Sequence, residues 1–271
     1  MWARLYRIMW KEKYLAVMLC LYLYMLAPLV AKMWQSQGNG ILFAHNAFDE
    51  SFLMSLYGSS YSMPFSFVGP LIAIVTCGNV FFDDLEAGCL PIMLTRESKH
   101  EYHGKNIASI IISCIFLFLV PLLLNLIVSL CCFSMKDSMM GSAYLSSTAY
   151  HNPYRDLSEH PNMLVLLREG RPLLRILLLF GEYICTFSVF AVLNYCLGTI
   201  WKTKKYLCNI FVEFIFIGWD VLTSFLYEPL VMSSYLNGSD QWSSLWGLLA
   251  VLVVFSIMSI VLLKFADMKP I

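Results

Sequence analysis

The stretch IASIIISCIFLFLVPLLLNLIVSLCCF, residues 107–133, decides the fold class. It runs for 27 residues without a charged side chain, and a membrane-spanning helix needs about 20 mostly apolar residues. A helix apolar on every face for that length belongs in a bilayer, where lipid is the solvent. The extra length implies tilt or an extension past the hydrocarbon. Outward from it, five further segments meet the same criterion: Tyr14–Val30, Met63–Phe82, Leu173–Trp201, Tyr206–Tyr227 and Leu245–Phe265. Backbone N–H and C=O groups in lipid must be satisfied within the segment, so runs of this kind become helices. The expected fold is therefore all-α, a polytopic membrane protein with six transmembrane helices forming one domain over residues 1–271. The composition agrees, with 59% hydrophobic and only 13% charged residues, where soluble domains carry about a quarter charged. The formal net charge is zero, so bulk charge points to no nucleic-acid partner.

Lysine and arginine set the orientation. One set of flanks holds Arg4, Arg7, Lys11, Lys13, Arg96, Lys99, Lys105, Lys202, Lys204, Lys205, Lys264 and Lys269, twelve of the eighteen basic residues. The other holds Lys32, Lys136, Arg155, Arg168 and Arg171, with Arg175 just inside the fourth span. The first set is assigned to the cytoplasm, which puts both termini there. The basic N-terminus lacks a small-residue cleavage site, so no cleaved signal peptide is expected. Nine cysteines lie almost all within apolar runs and read as small buried hydrophobes. On the outside, residues 35–61 and 134–172 form long polar segments, and Asn237-Gly238-Ser239 is a sequon.

Residues 1–13 place Trp2, Leu5, Tyr6 and Met9 at i, i+3, i+4, i+7, with Arg4, Arg7 and Lys11 on another face. Two readings stand: an amphipathic helix at the cytoplasmic interface, or a charged extension of the first span. The loop from residue 83 to 105 lies within FFDDLEAGCLPIMLTRESKHEYHGK, residues 81–105. It is charged, yet Leu90, Met93 and Leu94 fall at helical spacing. A short amphipathic helix lying against something is the better reading, with Asp83, Asp84 and Glu86 complementing its dipole. No P-loop is present: the only Gly-Lys pair, Gly104-Lys105, is followed by Asn106 and lacks the first glycine. The chain has no Walker site for ATP. His100, Glu101 and His103 fall short of a metal site, and no metal or cofactor is expected on this chain.

The acidic cluster, Glu86-x-Gly88, the apolar stretch, Arg96, and Tyr102-x-Gly104-Lys105 at the start of the third span resemble the permease subunits of bacterial ABC-2-type exporters. The layout of six spans, inside termini and amphipathic start is similar as well. Pro91 and the long external segment after the third span depart from the plainest members. The resemblance implies that the loop is a coupling helix docking into a separate ATPase, with Asp84, Glu86, Gly88, Leu90, Met93, Leu94 and Arg96 as coupling residues. It further implies ATP and Mg²⁺ in two copies of that ATPase, a second permease chain, identical or related, and the bacterial cytoplasmic membrane as the location. It also implies a re-entrant turn over residues 221–234.

Three acids fall within spans: Glu182 in the fourth, Glu213 and Asp220 in the fifth. Intramembrane carboxylates are costly and face protein or water. One reading makes them the lining of a translocation path for a peptide, drug or lipid-like cargo. The other makes them packing groups bonded to Asn194, Tyr183, Trp219 or Thr223. Two alternatives to an exporter use a Glu182–Asp220 pair: a six-helix intramembrane enzyme and a secondary transporter.

Overall fold

The computed structural model describes residues 2–36, 47, 51–52, 59–133, 172–202, 204–226, 230–232 and 245–268. Residues 134–171, most of residues 35–61, the sequon, and residues 227–229 and 233–234 lie outside the described residues. Every described element is a helix. The chain runs α1 (Trp2–Met9), α2 (Glu12–Ser36), α3 (Ser59–Ala73), a π-helical turn (Ile74–Gly78), α4 (Val80–Glu86), α5 (Leu90–Arg96), α6 (Lys99–Cys132), α7 (Pro172–Ile200), α8 (Lys205–Leu226) and α9 (Leu245–Met268). Six stretches are long and apolar enough to cross a membrane: Glu12–Ala31, Pro64–Glu86, Lys99–Cys132, Ile176–Ile200, Lys205–Leu226 and Gly247–Ala266. The chain is an all-α, multi-pass membrane protein.

The bundle is built around α7. This helix is buried on nearly every face from Leu179 to Thr199, and α3, the π turn, α4, α6, α8 and α9 all pack on it. Its aromatic side chains make the centre. Phe187 meets Phe118 of α6 at 4.8 Å between ring centroids and Phe65 of α3 at 5.7 Å, and Tyr183 meets Phe65 at 5.6 Å. Since lipid tails are as apolar as these rings, close packing and not expulsion from water holds the helices together. The π turn is where the second span comes nearest. A Cβ on Gly78 would stand 2.8 Å from the Ala191 carbonyl oxygen, so only glycine fits. Large apolar side chains such as Leu19, Phe214, Phe225, Val253 and Ile257 of α2, α8 and α9 point outward.

The third span starts earlier than its apolar run suggests. α6 has 34 residues, about 50 Å at 1.5 Å per residue, against about 30 Å of hydrocarbon. Ser98 caps it by accepting from Glu101 N at 3.2 Å, the Ser-x-x-Glu pattern of a helix start. Tyr102, His103 and Lys105 are thus helical. The interior amide of the run, Asn125, accepts from Phe52 N at 2.9 Å and donates to Met25 O at 2.7 Å, pinning α2 and the external segment to α6.

Candidate functional site

The loop between α4 and α6 is built by local rules. α4 ends in a Schellman motif: Cys89 N donates to Asp84 O at 3.1 Å and Gly88 N to Leu85 O at 3.0 Å. Gly88 takes φ +64°, the left-handed geometry that glycine tolerates. α5 follows at once, with Pro91 in its first turn, where no intrahelical N–H is lost.

Around this loop an ion-pair network ties four parts of the chain. Asp84 has no exposed side-chain surface and binds Arg7 of α1 through one oxygen. Its other oxygen accepts from Tyr102 Oη at 2.7 Å. Asp83 is shared by Lys11 at 2.5 Å and Lys205 of α8 at 2.8 Å. Glu97 takes Arg4 at 2.7 Å and Lys105 at 3.0 Å. Arg4 also donates to Tyr102 O and Asn106 Oδ1, both at 3.0 Å, and lies 4.8 Å above the Tyr102 ring. The Lys105 hydrogen bond and the Arg4 charge hold the Glu97 carboxyl below the ordinary glutamate range, against a smaller upward effect of desolvation.

This geometry corrects part of the sequence reading. Leu90 is 4% exposed, and Met93 and Leu94 pack on the chain's own core. The thing the loop helix lies against is its own bundle. Asp84 and Leu90 are interior residues of the bundle. Glu86, Gly88 and Arg96 are exposed, and Ile92, which the spacing argument passed over, is 58% exposed. The α1 cations likewise turn inward. Arg4, Leu5 and Ile8 are buried, while Trp2 and Tyr6 stand exposed. A break at Trp10 and Lys11 separates α1 from α2, so α1 is no simple extension of the span. The sequence signal for the clamp was the presence of Arg4, Arg7 and Lys11 before the first span and of Asp83, Asp84 and Glu97 in the loop.

The span acids are not gathered. Glu182 is 7% exposed and its Oε2 has no hydrogen-bond partner; Glu213 Oε2 is also buried without one. Asp220 is 6% exposed on the inner face of α8. Of the anticipated packing partners, Trp219 Nε1 donates to Leu230 O and Thr223 Oγ1 to Trp219 O. Asn194 belongs to a buried triad that the sequence reading missed, donating to Asn79 Oδ1 at 3.2 Å and Asn209 Oδ1 at 3.0 Å. These three amides on α7, at the foot of the π turn and on α8 are visible in sequence only as isolated polar residues in apolar runs. The nine cysteines are all unpaired, four of them buried and Cys20, Cys131 and Cys185 exposed on span surfaces. The histidines also sit differently from expectation. His103 lies on α6 and contacts Tyr195 Oη at 2.7 Å, and no group of three metal-type ligands exists among the described residues.

Fold and site together define a six-span helical membrane protein with a charged clamp at the end that carries its N-terminus. Compared with known proteins, the chain matches no family model, no curated protein and no solved structure.

Proposed function

We propose that this chain is the membrane-spanning subunit of an ATP-driven exporter of the ABC-2 type in a bacterial cytoplasmic membrane. The observation that carries the reading is the mechanical position of α5. It is a short helix at the end of the bundle, packed on α6 and set in the chain between the ion-paired Asp83 and Asp84 of α4 and the ion-paired Glu97, with Ile92 and Arg96, and Glu86 of α4, left facing out. A force on that face reaches α1 and α2 through Asp83 and Asp84, α6 through Glu97, and α8 through Lys205. Such a lever suits a separate ATPase that closes on ATP and Mg²⁺, two copies acting on two permease chains. The permease supplies path, gate and lever and performs no covalent step. Buried carboxyl oxygens without a hydrogen-bond partner among the described residues, as in Glu182 and Glu213, favour a path where water, cargo or the second chain completes them. The cargo class is a peptide, drug or lipid-like molecule.

The test is purification of the full chain from its own host in mild detergent. A nucleotide-binding ATPase is expected in the complex, and Ile92→Asp or Arg96→Glu should abolish cargo-stimulated ATP hydrolysis while the chain stays folded. Transport by a complex containing no ATPase would overturn the reading.

A further inference from the structure

Asn194 is fully buried, and its Nδ2 gives both hydrogens away, to Asn79 Oδ1 at 3.2 Å and to Asn209 Oδ1 at 3.0 Å. Its own Oδ1 is buried with no hydrogen-bond partner among the described residues. A dry acceptor of this kind costs stability and needs a reason. Asn79 and Asn209 are themselves 4% and 5% exposed. Asn79 is fixed in orientation: its Nδ2 donates to Val75 O in the π turn at 3.1 Å, which aims its oxygen at Asn194. Gly78 keeps one flank of the Asn194 amide clear, since a Cβ there would stand 3.2 Å from Asn194 Nδ2.

Glu213 adds a carboxylate to these amides. It lies one turn beyond Asn209 on α8, and residues four apart share a helix face with Cβ atoms about 5–6 Å apart. Long side chains on a helix lean back over the preceding turn, which here is the turn of Asn209. Glu213 Oε2 is buried, again with no hydrogen-bond partner among the described residues. The cluster therefore holds more buried acceptors than donors. Turning the Asn194 amide by 180° exchanges a nitrogen and an oxygen of nearly the same size. The oxygen then takes the nitrogen's place beside Asn79 Oδ1 and Asn209 Oδ1. Three amide oxygens that close repel one another unless a cation lies among them.

We propose that Asn79, Asn194, Asn209 and Glu213 bind a sodium ion through the three amide oxygens and the carboxylate. Amide and carboxylate oxygens suit a hard cation, and helices interrupted within the membrane are where transport proteins coordinate Na⁺. The π turn is such an interruption of the second span. One carboxylate balances one positive charge, whereas a divalent ion would keep a net charge inside the bundle, where uncompensated charge is costly. The ion enters from the clamp. Asn79 and Asn209 lie four residues, about 6 Å of helix, from Asp83 and Lys205, which pair at 2.8 Å and are 28% and 25% exposed. Bound there, the ion joins spans two, four and five and ties the π turn to the clamp.

The test uses the full chain in its purified complex, with retention of radioactive Na⁺ measured at constant ionic strength in choline chloride. One sodium ion per chain should be retained, displaced by unlabelled Na⁺ and far less by equal K⁺ or Ca²⁺. Glu213→Gln and, separately, Asn209→Ala should weaken retention about ten- to a hundred-fold, the scale on which a metal site weakens when a supporting group is lost. Glu12→Gln, an exposed acid on α2, should leave it unchanged, and an equal loss there overturns the site. Absence of saturable retention would mean that the amides hold water only, and it overturns the site too. Displacement by K⁺ or Ca²⁺ as effective as by Na⁺ overturns sodium as the ligand. Wild-type retention in Glu213→Gln removes the carboxylate, wild-type retention in Asn209→Ala removes the amides, and either result overturns the proposal. Should both variants fail to fold, the wild-type chain must show a higher thermal midpoint in Na⁺ than in choline at equal ionic strength, because a bound ion stabilises the folded state. No rise overturns the proposal. The readout needs neither ATP nor cargo, so its outcome is separate from that of the exporter assignment.

Discussion

Asp84 shows how an acid that looks like part of an exposed loop becomes a structural keystone. Its carboxylate is fully buried yet has Arg7 on one oxygen and the Tyr102 hydroxyl on the other. A buried pair broken on one side leaves the other charge uncompensated, which costs about 3–5 kcal/mol. The Arg7 side chain is 34% exposed, so water recovers part of that loss. Asp84→Ala should lower stability by about 2–3 kcal/mol, read as denaturant unfolding in mixed micelles, and should free α1 from the bundle, read as hydrogen exchange over residues 2–9. Unchanged exchange there would remove the clamp from the account. Glu97 adds a pH dependence with a definite sign. The Lys105 hydrogen bond and Arg4 lower its folded-state pKa. Its contribution is therefore full above the ordinary value of about 4.3 and is lost as pH falls through the lower folded-state value. Exchange over residues 2–9 should rise in that acid window and not between pH 6 and 8, and Glu97→Gln should remove the part that Glu97 carries. At this scale the sequence was legible in charge but not in partner. The acids near residue 84 and the cations of residues 4–11 were evident, but an Asp84 read as complementing a helix dipole gave no reason to bury it. The burial comes with Tyr102, in the first turn of α6, whose hydroxyl donates to Asp84.

At the scale of elements, apolar length alone located all six spans, because the bilayer imposes it. Boundaries were legible only where capping chemistry was used. Ile107 is where the apolar run begins, but Ser98 and Glu101 start the helix eight residues earlier, and those roughly two turns carry Tyr102 and Lys105 into the clamp. The π turn was not legible, since its identity lies in hydrogen-bond register and not in side-chain type. It appears in the structure as Thr76 Oγ1 bonding back to Ile72 O and as the close approach of Gly78 to α7. Extra-residue turns of this kind are frequent at functional positions, and this one lies within the second span, between α3 and the clamped α4. Gly78→Ala tests its packing. The new methyl would meet a backbone oxygen, which cannot swing aside, at 2.8 Å, and overpacking of this sort costs about 1–3 kcal/mol. The expected result is a lowered thermal midpoint of the purified chain. An unchanged midpoint would mean that α3 and α7 can slide apart at no cost, and the tight crossing would not be a fixed feature.

At the scale of the whole molecule, the clamp turns a statistical topology rule into a geometric one. The basic-residue count assigns residues 1–13, 83–105, 202–205 and the C-terminus to one side of the membrane by composition alone. The structure ties the first three together by contact: Arg7 to Asp84, Lys11 to Asp83, Lys205 to Asp83. Ala266 near the end of α9 shares a cleft with Lys202 and Lys99. These parts therefore lie on the same side whichever side that is, and the rule is needed only to say which. Function was less legible than topology for a physical reason: coupling and cargo recognition depend on faces, and faces depend on packing that apolar counts do not specify. The loop helix was read with its apolar side outward, and the bundle claimed that side. The topology can be tested with Ile92→Cys, Glu12→Cys and Lys264→Cys, each made singly at an exposed position after the native exposed cysteines Cys20, Cys131 and Cys185 are replaced by serine. In intact cells a membrane-impermeant maleimide should leave all three unlabelled, and in inverted vesicles it should label all three. Labelling of all three in intact cells would invert the protein and remove the α5 face from any cytoplasmic ATPase. Labelling of one without the others would break the clamp itself, since no arrangement of six spans can part residues 12, 92 and 264 and still keep Lys11 and Lys205 on Asp83.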